Sequence, residues 1–340
     1  MIARERLNRE EANRLWELDL LALGQAADRV RRRQNPEPRV TYAVDRNINY
    51  TNICVSGCRF CAFFRAPGAA GGYVLSWDEL AAKLDELKAY GGSGVLLQGG
   101  LNPELPPVYY EELVRFIRDA GLGVHGFSPP EIYFLAARNG LSLEQVLGRL
   151  VAAGLSSIPG GGAEILVDRV RRQISPNKCT SDQWLEVMAA AHRQGLKTSA
   201  TMMFGHLETR AERLAHLLKI RELQDQTGGF TAFIPWTFQP GGTSLGGEAL
   251  GAVEYLRTLA ISRLVLDNVP HLQVSWVTQG PKVAQLALKF GADDFGSTML
   301  EENVVAAAGV GFRLERQEID RLIHQAGYQP RERDHRYNLR

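Results

Sequence analysis

From about Tyr42 to residue 300 the chain alternates between short apolar runs and longer stretches whose apolar residues recur at helical spacing. The apolar runs fall near 43–49, 94–98, 122–127, 155–158, 197–203, 230–235, 271–275 and 292–295. They are short, as strands covered on both faces are. Helical patterns lie between them, near 76–90, 108–119, 142–153, 180–194, 208–226, 252–266 and 280–290, with 301–308 and 315–326 after the last run. A strand followed by a helix, repeated about eight times, predicts an α/β fold in which parallel strands close into a (β/α)8, TIM-type barrel. An open parallel sheet is the alternative. Residues 8–33 read as one amphipathic helix, N-capped by Asn8 and ending in Arg29, Arg31, Arg32 and Arg33, a run that reads as solvated. Pro36 and Pro38 then interrupt the chain. The expected organisation is an N-terminal helical extension over 1–40, a barrel over 41–300 and a C-terminal helical segment over 301–340.

Nearly every predicted strand is followed by a polar or glycine-rich cluster. These include Gln98-Gly99-Gly100, Ser128-Pro129-Pro130-Glu131, Pro159 to Glu164, Phe204-Gly205-His206, Trp236 to Gly242, Trp276 to Gly280 and Asp293 to Thr298. In a parallel barrel the C-terminal strand ends meet at one mouth, where active sites lie. Clusters scattered along the sequence would thereby become neighbours. Gly99 and Gly100 remove side chains where backbone approaches a ligand or turns tightly. Gly160, Gly161 and Gly162 expose backbone N–H groups just before Glu164, which reads either as a ligand contact or as compensation of a helix dipole.

The cluster after the first strand is of another kind. Cys54, Cys58 and Cys61 lie within eight residues, at spacings of four and three. Three thiolates so placed can converge on one inorganic centre. A [4Fe–4S] cluster usually takes four cysteines, and the fourth here, Cys179, is distant in sequence. If Cys179 stays out, one iron keeps an open position, which marks chemistry rather than scaffolding. A zinc site would repeat a paired C-x2-C, and none recurs. An electron-carrying Fe–S protein would need Cys179 or another fourth ligand and would leave the strand-end clusters without a task.

Composition narrows the rest. The 340 residues are 45% hydrophobic and 23% charged, with a formal net charge of +1, so bulk electrostatics imply neither nucleic acid nor an anionic membrane as partner. No apolar stretch approaches the length of a membrane span, and Met1 to Arg14 carries charges rather than an apolar leader. Cytoplasmic thiols are the expected reading of four cysteines in this setting. Among titratable groups near strand ends stand His125, Glu131, His206 and Asp294; His192 and His216 fall on helices and read as surface residues. Met202, Met203 and Met299 read as core or mouth.

The cysteine spacing, with Phe60 before the last thiol, resembles the motif of the radical S-adenosylmethionine (SAM) enzymes. The likeness extends further. Asn47 to Asn52 leads into the cysteines and Ala62 to Arg65 leaves them. Leu97 to Pro103, Phe127 to Glu131, Pro159 to Ile165, Met202 to His206, Phe233 to Pro240, Ser275 to Lys282 and Asp294 to Asn303 follow in order. The set is similar to the cyclic dehypoxanthinyl futalosine synthase family of the futalosine route to menaquinone; one departure is Asp293, where asparagine is expected. Aminofutalosine synthase and the deazaflavin-forming FO synthase subunits share the cysteine spacing and are the near alternatives.

The resemblance implies a [4Fe–4S] cluster on Cys54, Cys58 and Cys61. It implies SAM against Phe60, Gln98, Gly99, Gly100 and Glu164, and dehypoxanthinyl futalosine against Ser128, Glu131, Trp236 and Trp276. A reduced donor such as flavodoxin or ferredoxin would supply the electron. Ring closure of such a substrate requires a proton acceptor, for which Asp294 and then His206 are the expected groups.

Overall fold

The computed structural model describes residues 6–340. Two helices, α1 (Arg9–Arg14) and α2 (Leu20–Gln34), replace the single helix expected over 8–33. The break has a local cause: Leu18 is extended, and the Asp19 carboxylate accepts from the N–H groups of Leu21 and Ala22 to start a new helix. The arginine run is not wholly solvated either. Arg31 is buried, pairs with Asp28 at 2.9 Å and lies 4.9 Å over the ring of Tyr328.

The barrel strands begin with β1 (Arg39–Ala43) and β2 (Asp45–Asn49), two halves of one strand interrupted at Val44. Helix α3 (Trp77–Ala89), β3 (Gly94–Gln98), α4 (Pro107–Asp119), β4 (Gly123–Gly126), α5 (Pro129–Asn139), α6 (Leu143–Ala153) and β5 (Leu155–Ile158) follow. Then come α7 (Asp168–Ile174), α8 (Ser181–Arg193), β6 (Lys197–Phe204), α9 (Arg210–Thr227), β7 (Phe230–Thr237), α10 (Ala252–Val265), β8 (His271–Leu272), α11 (Trp276–Ala287) and β9 (Asp294–Ser297).

Strands β2 to β8 form a parallel sheet in sequence order. A parallel bridge between Gln273 and Asp294 links the β8 side to β9, and β9 pairs with β1. The sheet therefore closes on itself, as the alternation predicts. Helices cover it through apolar stripes at helical spacing: Leu80, Leu84 and Leu87 of α3, and Tyr110, Leu113, Val114 and Ile117 of α4, are all buried.

Two helices escaped the pattern. In α5 the Ser128-Pro129-Pro130-Glu131 cluster is itself the helix start, with proline in the first turn and a reciprocal Ser128–Glu131 capping box. The other, α7, is only seven residues long. Residues 301–308, expected to be helical, hold a single 3-10 turn at Ala306–Ala308.

The C-terminal segment is not simply helical. After α12 (Arg316–Gln325) comes β10 (Gln329–Arg333), which runs parallel to β1 from Arg39 beside Gln329 to Ala43 beside Arg333. The chain then turns inward beneath the barrel. His335 packs on Gly94, the first residue of β3, where an added Cβ would lie 2.6 Å from the imidazole. Its ring stacks on His125 at 5.0 Å between centroids. The tail thus floors the N-terminal end of the barrel.

Candidate active site

One cavity of about 390 Å³ runs from the mouth into the barrel, between the cysteine loop above and the C-terminal tail below. The loop leaves β2 and is pinned by backbone bonds from Cys54 N–H to Arg65, from Val55 N–H to Leu101 and from Arg59 N–H to Ile174. Gly57 takes φ +57°, a left-handed turn that admits glycine freely. Cys54, Cys58 and Cys61 are free thiols and all line the cavity. The Ser56 hydroxyl lies 2.9 Å from Cys54 Sγ and 3.3 Å from Cys58 Sγ, and Leu101 N–H donates to Cys54 Sγ at 3.2 Å. These donors suit thiolates. Among the described residues no three His, Cys, Asp or Glu side chains are gathered as ligands of a single ion would be. Cys179 does not line the cavity; it is buried, with its Sγ 3.9 Å from Arg171.

Phe60, Gln98, Gly99, Gly100 and Glu164 line the same space. The glycines have a reason beyond ligand approach. A Cβ at Gly99 would lie 2.4 Å from the Tyr50 ring, and one at Gly100 would lie 2.2 Å from the carbonyl oxygen of Ile53 and 2.9 Å from Cys54 Cβ. The turn after β3 must therefore be bare for the cysteine loop to close over it. Glu164 sits at φ +40°, a conformation rare for a residue with a side chain and found where surroundings over-determine the backbone. Its carboxylate meets Lys178 at 3.0 Å and Arg171 at 3.4 Å. Lys178 lines the cavity and lies 5.0 Å over the Phe60 ring. Burial works against its charge, but Cys58 and Glu164 outweigh burial and hold it protonated.

Ser128, Glu131, Trp236 and Trp276 also line the cavity. Trp276 is fixed by donation from its Nε1–H to the Ser297 carbonyl at 2.9 Å. Glu131 accepts from Tyr50 O–H at 2.7 Å, from Gly99 N–H at 3.0 Å, and from both the N–H and the hydroxyl of Ser128. Burial raises its pKa, against which all four donors act.

The two groups expected to accept a proton stand elsewhere. Asp294 is fully buried, does not line the cavity, and accepts from Arg333 Nε at 2.5 Å and Nη2 at 2.7 Å, from the Thr41 hydroxyl and from Gly296 N–H. It ties β9 to β10 and β1. The His206 side chain is wholly buried outside the cavity: its Nε2–H donates to the Met203 carbonyl at 3.1 Å, and its Nδ1 accepts from Leu207 N–H at 2.7 Å. Burial lowers its pKa, so the ring is neutral with both nitrogens engaged. Nor is His216 a surface residue; it is fully buried and accepts from Leu166 N–H. Met202 and Met203 are core, whereas Met299 lines the cavity.

The structure adds Asp45 on the wall and Arg333, His335 and Tyr337 from the tail, which no sequence motif marked, and it places Asn47 and Glu302, taken from two of the motif blocks, on the same wall. Glu302 accepts from Asn47 Nδ2 at 2.7 Å and from the N–H groups of Val304 and Val305, and burial raises its pKa. The neighbouring acidic side chain, Glu301, is instead held by Lys83 and Arg46. That Glu301 and Glu302 stand side by side is plain in the sequence; which one faces inward is not.

Comparison with known proteins fits this geometry. Residues 48–220 match the model of the radical SAM superfamily, and residues 227–340 match the CofH/MqnC C-terminal region. A protein of Halalkalibacterium halodurans named cyclic dehypoxanthine futalosine synthase is 45% identical over 98% of this chain and 92% of its own length. The chain belongs to the cyclic dehypoxanthine futalosine synthase family of radical SAM enzymes. A relative of the same name in Streptomyces coelicolor is 45% identical over 96% of this chain and 84% of its own. In fold, the crystal structure of methylornithine synthase (PylB) superposes with a TM-score of 0.73 at 19% identity, covering 97% of this chain and 95% of that one. Members of the superfamily carry a [4Fe–4S] cluster and use SAM, and three thiols lining one cavity, two of them beside the Ser56 hydroxyl, fit that cluster.

Proposed function

We propose that this chain cyclises dehypoxanthinyl futalosine. The observation that carries the reading is the meeting of three free thiols, Glu164, the bare turn at Gly99-Gly100 and two tryptophans in one cavity at the C-terminal strand ends. When bound, the cluster and SAM supply a 5′-deoxyadenosyl radical that takes hydrogen from C4′ of the substrate ribose, so that the carbon radical can close onto the benzoate ring. Cys54, Cys58 and Cys61 hold the cluster, with the Ser56 hydroxyl and the Leu101 N–H stabilising thiolate charge. Gln98, Gly99 and Gly100, with Phe60, would hold the amino end of SAM. Glu164 would receive the SAM ribose hydroxyls, and its ion pair with Lys178 fixes the position of its carboxylate. Ser128 and Glu131 form a fixed polar edge, and Trp236 and Trp276 offer flat apolar surface for an aromatic acid.

Restoring aromaticity after ring closure releases one proton and one electron, and the cluster, oxidised by one electron in SAM cleavage, would be the electron's acceptor. Glu302 is the proton acceptor in this reading. A carboxylate has about four lone-pair sites. All four of Glu131 are taken by donors; Glu302 meets three, leaving one on the oxygen bonded to Asn47. Its raised pKa also brings it toward the working pH of a general base. The electron entering the cluster comes from reduced flavodoxin or ferredoxin, in the reducing cytoplasm where such a centre persists. Among the described residues no helix is long and apolar enough to cross a membrane.

The test is anaerobic reconstitution with iron and sulfide, then SAM, dithionite and dehypoxanthinyl futalosine, with mass analysis. The expected result is a cyclic product two mass units lighter than the substrate, with 5′-deoxyadenosine in matching amount. Turnover of an aminofutalosine-synthase or deazaflavin-pathway substrate instead would replace this reading with one of those activities.

A further inference from the structure

The closed end of the cavity is unusually polar for a barrel interior. Strand pairing sets its depth: Asn49 and Gln98 share the top level, Asn47 pairs with Leu96, which in turn pairs with His125, and Asp45 lies beside Gly94. At roughly 3.3 Å per residue, Asp45 is about 17 Å along the strand from the turn at Gly99. Here the tail contributes Arg333, His335 and Tyr337. Four buried polar atoms in this small region have no hydrogen-bond partner: Asp45 Oδ1, Asn47 Oδ1, His335 Nε2 and Tyr337 Oη. Asp45 and Asn47 are 4% and 2% exposed. Buried polar atoms are nearly always paired, so four unpaired ones on residues that all line one cavity mark a place for a ligand's polar groups.

The surroundings are built rather than accidental. Tyr337 is held at φ +66°, with its ring stacked on His271 at 4.2 Å and the Arg333 guanidinium 3.9 Å above it. His335 is clamped between His125 and the bare backbone of Gly94. Charge then selects the ligand. Asp45 and Glu302 border this end, and the one cation bordering it among the described residues, Arg333, is spent on Asp294. A carboxylate would meet like charge with no free cation. The Asp45 and Asn47 oxygens accept only, so the ligand must donate, while Tyr337 and His335 can also give a hydrogen bond. Neutral vicinal hydroxyls satisfy all of these conditions.

We propose that this end of the cavity is a polyol subsite, made by Asp45, Asn47, His335 and Tyr337, that takes the hydroxylated sugar end of the substrate. The inference rests on the proposed cyclase activity and deepens it: the sugar points to the floor with C4′ upward, and the aromatic acid turns its carboxylate away from Asp45 and Glu302 while its ring stays within reach of Glu302. The tail is then part of the substrate site and not only a plug.

The test is equilibrium dialysis with the full-length, reconstituted chain without reductant. Two probes are compared: dehypoxanthinyl futalosine and its counterpart lacking both ring hydroxyls. Tyr337→Phe and Asp45→Asn should each weaken binding of the intact compound about tenfold. Toward the dideoxy compound, parent and variants should bind alike. SAM affinity and thermal midpoint report folding; if Asp45→Asn fails there, Tyr337→Phe alone decides. Variants that bind both probes like the parent, or lose affinity for both equally, overturn the subsite while leaving a cyclising parent intact. A parent that neither binds nor cyclises the intact compound overturns the activity and the subsite together.

Discussion

Asp294→Asn separates a structural from a catalytic reading of the most deeply buried carboxylate near the barrel. Asp294 and Arg333 are 0% and 5% exposed in their side chains, and two hydrogen bonds join them. Asparagine keeps the shape but removes the negative charge, leaving the Arg333 guanidinium buried without its counter-ion. Breaking such a pair by removing one partner costs about 3–5 kcal/mol. The loss is large beside a total stability of about 5–15 kcal/mol. An unfolding entropy of about 2.1 cal/mol/K per residue gives about 0.7 kcal/mol/K for 340 residues. The midpoint should therefore fall by about 4–7 °C if the barrel unfolds as one unit.

The assay pairs thermal unfolding with the ratio of cyclised product to 5′-deoxyadenosine, measured well below the lowered midpoint. The ratio should match the parent, because the carboxylate does not reach the cavity. Arg333→Met with Asp294→Leu, which removes both charges, should recover much of the loss. A variant of parental stability whose product ratio collapses would refute the structural reading and return Asp294 to the role of base.

Three further outcomes follow from the site. Cys54→Ala, Cys58→Ala and Cys61→Ala should each abolish cluster iron and SAM cleavage, whereas Cys179→Ala should keep both; iron and sulfide analysis after reconstitution decides, and loss of iron in Cys179→Ala would make that thiol a ligand. Glu302→Gln should keep 5′-deoxyadenosine formation while cyclised product falls by about 10²–10⁴. In the parent the product ratio should be full at high pH and fall as pH drops through the raised Glu302 pKa, above the usual carboxylate range; a flat profile together with a parental ratio in Glu302→Gln would remove it from the role. The linked stability has the opposite sense, being fully present below the unfolded pKa and lost as pH rises through the folded one. Glu164→Gln should weaken SAM binding by about 1.5–3 kcal/mol without loss of iron, and unchanged SAM affinity in dialysis would leave Glu164 a partner of Lys178 and Arg171 only.

The strand count, the strand order and the meeting of the clusters at one mouth were legible because each follows from local periodicity and one topological rule. Parallel strands close in order, and whatever follows them meets. What periodicity cannot carry is the direction of a side chain at the very end of a strand. Asp293 and Asp294 illustrate this. Both are buried, and neither faces the cavity. Asp293 pairs with Arg263, with His271 at 2.6 Å and with Leu272 N–H, which explains why a carboxylate is retained where asparagine was expected. Both partners that disarm these carboxylates, Arg263 on α10 and Arg333 on β10, are thirty or more residues away in sequence.

The tail was misjudged for a related reason. Gln329 to Arg333 has no apolar alternation to announce a strand, because β10 pairs on one side with β1 and buries its Arg333 rather than a hydrophobic residue. Its contribution is made by single polar side chains, each meaningful only against a partner that the sequence places elsewhere: Arg333 against Asp294, His335 against His125 and Gly94, Tyr337 against His271. The same logic separates the two halves of the site. The cluster end is built from contiguous residues, Cys54 to Cys61, since three ligands of one inorganic centre can be supplied by one loop, and so it is readable from sequence. The floor is assembled from Asp45, Asn47, His125, His335 and Tyr337 across most of the chain's length, and it exists only once the barrel has closed. A substrate-discriminating end made this way can be altered one residue at a time without touching the radical-generating end, which is how one cluster-binding barrel can serve different substrates.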